Sequence, residues 1–259
     1  MINRKQVLFG ITDAEDKNFL SQMCDKADKA IASGRRIYTR FLSPREQMYV
    51  TERFSPYVNV ISNGGYDDAE RRIVCFSPVD TYETDFDYET VALCVRTKNR
   101  TVLSHRDYLG AVLSLGIKRE LVGDIVICDD RAVVFCHGEI ADYIEYNLSR
   151  IANLSVAVEA ADISSVELPQ RKFKEKSLTV SSMRLDCVLS AAANKSRTVS
   201  AELIEKGLVC VNYDVIKNAS RTVADGDVLS VRGIGKMIVR TDMSLTKKGK
   251  YHIEIKQYI

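Results

Sequence analysis

A chain of 259 residues that is 46% hydrophobic and 28% charged has enough apolar material for one large core or two to three small ones, and it is not the composition of a disordered segment. No apolar run approaches the ~18–20 residues of a membrane-crossing helix. The start, Met1 to Gly10, lacks the apolar stretch and small-residue cleavage site of a secretion signal, so no membrane partner and a cytoplasmic address are expected.

The seven cysteines are odd in number, form no C-x-x-C pair and lie near no histidine cluster of zinc spacing. They argue against a disulfide framework or a metal site and read as small buried hydrophobes. The net charge of +2 hides an asymmetry: Arg171 to Ile259 carry 17 Lys and Arg against 9 Asp and Glu, which leaves the preceding 170 residues acidic. A basic end on an acidic body points to a polyanionic partner.

In chain order, Phe19, Leu20, Met23, Ala27, Ala30 and Ile31 recur at helical spacing and predict a helix over 14–33. Ser43-Pro44-Arg45-Glu46 combines an N-cap, a first-turn proline and a capping box, and predicts a second helix to about Phe54. Strand-like runs 57–61 and 72–76 flank the turn signal Asn63-Gly64-Gly65. The acidic run 80–89 lacks calcium-loop spacing and reads as a solvated connection. A strand over 90–95, a helix over 106–115, strands over 124–128 and 132–136, a helix over 139–151 and a strand over 154–158 give the order β-α-β-β-α-β, the split βαβ arrangement of ferredoxin-like and RRM-like domains. Residues 169–177 are polar and basic and read as a linker.

The C-terminal region is the most specific. Ser181-Ser182 offers a cap for a helix with Leu185, Val188, Leu189 and Ala192 on one face. The loop Asn194-Lys195-Ser196 leads into a second helix that opens at Arg197 and stops at Gly207, and two short strands follow over 208–212 and 227–232. Arg184-Leu185-Asp186 with Leu189, then Ser196-Arg197-Thr198, then Leu203-Ile204-x-x-Gly207-x-Val209-x-Val211-Asn212 and Val223-x-x-Gly226-Asp227 occur in order over about 60 residues. This pattern resembles the S4 RNA-binding domain. Arg184, Lys195, Ser196, Arg197 and Thr198 then lie at helix starts, where unpaired N–H groups and a partial positive charge favour phosphate. Lys217 and Arg221 extend the basic surface. Asp186 is expected to orient an arginine or cap a local N–H. Tyr251 to Ile255 alternates like a strand and reads as a hairpin added to the S4 sheet.

Catalytic signatures fail one by one. His105-Arg106-Asp107 imitates a kinase triplet, but position 112 is Val where Asn is needed. No G-x-G-x-x-G loop exists, and Met183-Arg184-Leu185-Asp186 imitates a pseudouridine synthase signature with no catalytic domain after it. Between residues 96 and 119, Arg96, Lys98, Arg100, Arg106, Lys118 and Arg119 face one acid, Asp107. His105, Arg106, Lys118 and Arg119 are therefore a possible second RNA contact, with His105 and Tyr108 able to stack on bases; the competing reading puts Tyr108 in the core. The strands lack the RNP aromatics, so any contact falls to helix ends and loops.

Read whole, Ser104 to Ile125 resembles the signature of the bacterial YlmH family, whose members pair an N-terminal region containing an RRM-like domain with a C-terminal S4 domain. The resemblance implies binding to the large ribosomal subunit through its rRNA, with tRNA on the ribosome a further partner, and a link to ribosome-associated quality control of stalled nascent chains. It implies no catalytic residues and no cofactor. The expectation is an α+β, non-enzymatic, monomeric protein: residues 1–78 helical with a hairpin, 79–168 RRM-like, 169–177 linker, 178–259 S4. The alternative is an RNA-modifying enzyme, pseudouridine synthase-like, with an unrecognised site.

Overall fold

Helix α1 (Arg4–Val7) precedes α2 (Ala14–Ser33), which the Asp13 carboxylate opens by accepting from the Asp16 N–H and which Gly34 closes in the left-handed conformation at φ 64°. The computed structural model describes residues 1–78, 87–98, 101, 103–246 and 249–258. The acidic run thus lies largely outside the described residues, as does Arg100. Strand β1 (Ile37–Leu42) leads to α3 (Pro44–Phe54), whose capping box is formed as expected: Glu46 Oε2 accepts from the Ser43 N–H at 2.6 Å. Strands β2 (Asn59–Asn63) and β3 (Arg72–Ser77) complete a three-stranded sheet of order β1-β3-β2. Leu20, Met23, Cys24, Ala27 and Ala30 of α2 pack with Val50, Phe54, Val74 and Phe76 into one core. Each large apolar side chain so buried contributes roughly 1.5–3 kcal/mol.

The next elements are β4 (Thr90–Thr97), α4 (His105–Ser114), β5 (Val122–Ile127), β6 (Ala132–His137), α5 (Gly138–Asn147), β7 (Arg150–Ile151) and β8 (Leu154–Ala161). Their sheet has the order β5-β6-β4-β8-β7, with every neighbouring pair antiparallel. This is compatible with the split βαβ arrangement expected. Helix α5 stops sooner than its periodicity predicts, because Arg150 and Ile151 pair with Ser155 and Leu154 instead.

One face of this sheet packs on α4 and α5, with Tyr108, Val112 and Ile144 in the core. The other is also covered: Tyr66 stacks on Phe135 with ring centroids 4.8 Å apart, and Ile163, Val166 and Leu168 pack over Ala92, Cys94 and Val133. Gly65 makes the stacking possible, since its φ is +95° and a Cβ there would sit 2.6 Å from the Phe135 ring. The face that reads bases in an RRM is therefore closed. Asp124 ties it down, accepting from Tyr66 Oη (2.9 Å), the Glu70 N–H (2.6 Å) and the Arg71 N–H (3.1 Å). Residues 1–78 and 79–168 pack together within one compact unit, Met1–Pro169.

The second unit is Gln170–Ile259. It contains β9 (Phe173–Val180), α6 (Leu185–Ala193), α7 (Arg197–Glu205), β10 (Val209–Val211), β11 (Asp214–Val215), β12 (Val228–Val231), β13 (Gly235–Arg240) and β14 (Tyr251–Tyr258), in one sheet of order β11-β10-β12-β13-β14-β9. The linker expectation fails here: residues 173–177 belong to β9, which pairs along its length with β14 from Tyr258↔Phe173 to Tyr251↔Val180. Leu185, Val188, Leu189 and Ala192 of α6 pack on Ile204, Val211, Leu229, Met237 and Ile253.

All seven cysteines are free, five of them buried. No described helix is long and apolar enough to cross a membrane.

Candidate nucleic-acid interface

The backbone at the start of α6 is arranged differently from the expectation. Ser181 and Ser182 do not cap it; the cap residue is Arg184, and its side chain makes no capping bond. The segment 218–222 folds over the first turn instead. The Leu185 N–H donates to the Arg221 carbonyl (2.8 Å) and the Asp186 N–H to the Ala219 carbonyl (3.1 Å), while the Cys187 N–H donates to Asp186 Oδ1 (2.9 Å). These groups are satisfied within the protein, so the first turn of α6 offers no open N–H set for phosphate. Helix α7 differs. Ser196 Oγ accepts from the Val199 N–H at 3.2 Å, and the Arg197 and Thr198 N–H groups have no partner among the described residues.

Asp186 joins the two helix starts. Its carboxylate accepts from Arg184 Nε and a terminal Arg184 nitrogen, each at 3.1 Å, and from a terminal Arg197 nitrogen at 2.8 Å. The Asp186 side chain is 8% exposed, whereas Arg184 and Arg197 are 43% and 56% exposed. A buried anion thus holds two guanidiniums side by side with their outer edges in solvent, the fork geometry that suits phosphate oxygens. The Arg184 hydrogen bonds, reinforced by those from Arg197, hold the Asp186 carboxyl down at about 2 against burial, which acts the other way. A depressed folded-state value stabilises above the ordinary carboxylate range and is lost as pH falls toward the folded value. The stability that Asp186→Asn removes at pH 7 should therefore vanish between about pH 4 and pH 2. Thermal melts of both proteins across that window check this.

Lys195, Ser196 and Thr198 are exposed beside Arg197, in the turn that Asn194 opens at φ 51°. The Lys195 N–H and carbonyl are anchored by the Ser190 carbonyl (3.0 Å) and Ser190 Oγ (2.7 Å), which leaves its ammonium free to reach outward. Arg221 is half-buried and contributes its carbonyl to α6. Lys217 is exposed, but its stem runs past Gly207, where a Cβ would lie 3.7 Å from Lys217 Cε. That is the far end of α7, about 14 Å from Arg197 at 1.5 Å per residue. Arg184, Lys195, Ser196, Arg197 and Thr198 thus converge, and Lys217 stands apart. The bracing by segment 218–222 was missed, because backbone carbonyls leave no trace in residue type.

In the first unit His105 and Arg106 are exposed on the first turn of α4, where Asp107 completes a capping box with Ser104. Asp107 accepts from the Ser104 N–H at 2.9 Å, which gives it a structural duty. Tyr108 is 1% exposed, so it fills the core and stacks on nothing outside. Lys118 is exposed, whereas Arg119 turns inward and donates to the Val122 and Gly123 carbonyls.

The fold of the second unit and its paired-arginine rim define an RNA-binding protein of the S4 class; the S4 domain model matches residues 183–229. Two further models match the first unit, "YlmH, N-terminal" at residues 15–81 and "Putative RNA-binding domain in YlmH" at 82–165. The chain is 34% identical over 217 residues to the ribosome-associated protein quality control protein P2 of Bacillus subtilis (strain 168), covering 83% of this chain and 84% of that protein. It belongs to the YlmH family. The solved structure of the cell division protein ylmH from Streptococcus pneumoniae shares the fold at a TM-score of 0.51 and 21% identity, over 61% of this chain and 99% of that one.

Proposed function

We propose that this protein binds rRNA of the large ribosomal subunit, with tRNA on the ribosome as a second partner, and serves ribosome-associated quality control of stalled nascent chains. It acts in the cytoplasm of a bacterial cell as a monomer, by binding and without catalysis or cofactor. The observation that carries the RNA contact is the Arg184–Asp186–Arg197 cluster with Lys195 exposed beside it. The family relative named for ribosome-associated quality control supports the cellular setting.

The competing reading, a pseudouridine synthase-like enzyme, needs a carboxylate free to attack a base. Asp186, in the triplet that imitates that signature, is buried and already accepts from two arginines and the Cys187 N–H, which favours binding.

Sedimentation of the purified protein with separated ribosomal subunits on a gradient tests the partner. Co-migration with the large subunit is expected. Co-migration with the small subunit alone, or none, would contradict the proposal.

A further inference from the structure

A cavity of about 550 Å³ opens in the unit Met1–Pro169 where α2, β1 and the turn Arg119–Leu121 meet. Five cations line it, Lys26, Arg40, Arg71, Lys118 and Arg119, against two carboxylates, Glu46 and Glu120. Arg40 is also paired with Glu139 at 2.8 Å and bonded to His137 at 2.7 Å, so four cations carry the excess charge. Glu46 is already engaged, since its Oε2 accepts from the Ser43 N–H (2.6 Å) and Ser43 Oγ (2.7 Å). The two inner arginines converge: Arg71 Nε donates to the Val122 carbonyl at 3.1 Å, and an Arg119 terminal nitrogen donates to the same oxygen. Among the described residues neither guanidinium forms an ion pair with a carboxylate. Asp124 is near and offsets part of their charge, while its oxygens accept from Tyr66 and the Glu70 and Arg71 backbone.

Glu46, Glu120 and Asp124 offset part of this charge, but the cations at the cavity outnumber the carboxylates, and half-buried like charges in excess favour an anion between them. The side chains register the crowding. Burial, then Arg71, pushes Arg119 down to about 10, and burial, then Arg40, lowers Lys26. The volume falls within the range that admits a small-molecule ligand. Arg71 spends Nε and one terminal nitrogen on the Val122 and Phe41 carbonyls, and Arg119 spends one terminal nitrogen on Val122 and Gly123. Each therefore keeps a terminal nitrogen to donate to a phosphate oxygen, and the lysines add point charge.

We propose that this cavity is a phosphate-binding site, with Arg71 and Arg119 as its floor and Lys26, Arg40 and Lys118 around its mouth. Phosphate reaches it either on a free nucleotide or on the end of an RNA strand. The site lies in the unit without the S4 domain, so its failure leaves the reading of the α6–α7 rim standing.

Isothermal titration calorimetry on the full chain tests it with four probes: inorganic pyrophosphate, GDP, and one trinucleotide RNA with either a 5′-phosphate or a 5′-hydroxyl. One-to-one binding is expected, weakened at least about tenfold by Lys118→Glu and by Lys26→Met. Lys118 is exposed and makes no side-chain bond among the described residues, so Lys118→Glu should melt near the parent temperature. Met keeps the aliphatic stem at position 26 but loses the 2.9 Å bond to the Tyr38 carbonyl, so Lys26→Met is read beside its own melting temperature. Binding of pyrophosphate and GDP but neither trinucleotide assigns the site to free nucleotides. A tenfold preference for the 5′-phosphorylated trinucleotide over its hydroxyl form assigns it to RNA ends. No saturable heat with any probe, or unchanged binding in both variants, overturns the proposal.

Discussion

Replacing Arg197 by glutamate should damage both RNA binding and the fold of the second unit. From sequence alone Arg197 reads as an exposed helix-start cation, and reversal there should cost only about 0.5 kcal/mol of stability. The structure changes that expectation. Arg197 donates at 2.8 Å to Asp186, whose carboxylate also holds Arg184 and the Cys187 N–H. A glutamate would set a second carboxylate against a buried one that titrates at about 2 and stays charged at neutral pH. Arg197→Ala removes one partner but leaves Arg184 on Asp186, so its melting temperature should fall less. The order parent, Arg197→Ala, Arg197→Glu is expected in both melting temperature and RNA affinity, with the Glu variant weakened at least about tenfold in filter binding. Equal melting temperatures for all three would mean that the Asp186 cluster does not brace the two helix starts.

Affinity for structured RNA should fall roughly fortyfold between 50 and 200 mM monovalent salt. If Arg184, Lys195 and Arg197 each neutralise one phosphate, the log–log slope on a duplex is about −2.7, and on a single strand about −2.1. Lys217, at the other end of α7, steepens the slope only if the RNA spans the helix. Affinities measured across that salt range for the parent and Lys217→Ala separate the cases. A slope near zero would remove the phosphate contacts altogether.

Local chemistry made much of the fold readable. The Ser43-x-x-Glu46 box, the apolar stripe of α2 and the spaced anchors from Arg184 to Asp227 act over a few residues, so residue type alone reports them. The order β-α-β-β-α-β emerged for the same reason. Strand β9 did not, because it is an edge strand with only Leu178 and Val180 turned to the core; its partner β14 lies some 75 residues away. A polar edge looks like a linker until the partner is known. Tyr108 was ambiguous because an aromatic on a helix serves a core or a base equally well.

The candidate interface was legible in its members but not in its bracing. Arg184, Arg197 and the orienting role of Asp186 came from residue type and spacing, whereas the carbonyls of Ala219 and Arg221 that seal α6 came only from the fold. Lys26, Arg40 and Arg71 passed unnoticed within an acidic stretch, since only tertiary packing gathers them from α2, β1 and the loop before β3.

In the function proposed above, the exposed cations at the start of α7 carry the RNA contact. Lys195 isolates that contact best, because its side chain makes no hydrogen bond or ion pair among the described residues and its backbone bonds survive substitution. The decisive measurement is co-sedimentation of Lys195→Glu with the large ribosomal subunit beside its melting temperature. A melting temperature within about 2 °C of the parent and at least a tenfold loss of subunit binding are expected. Undiminished binding at an unchanged melting temperature would place the RNA contact elsewhere on the protein.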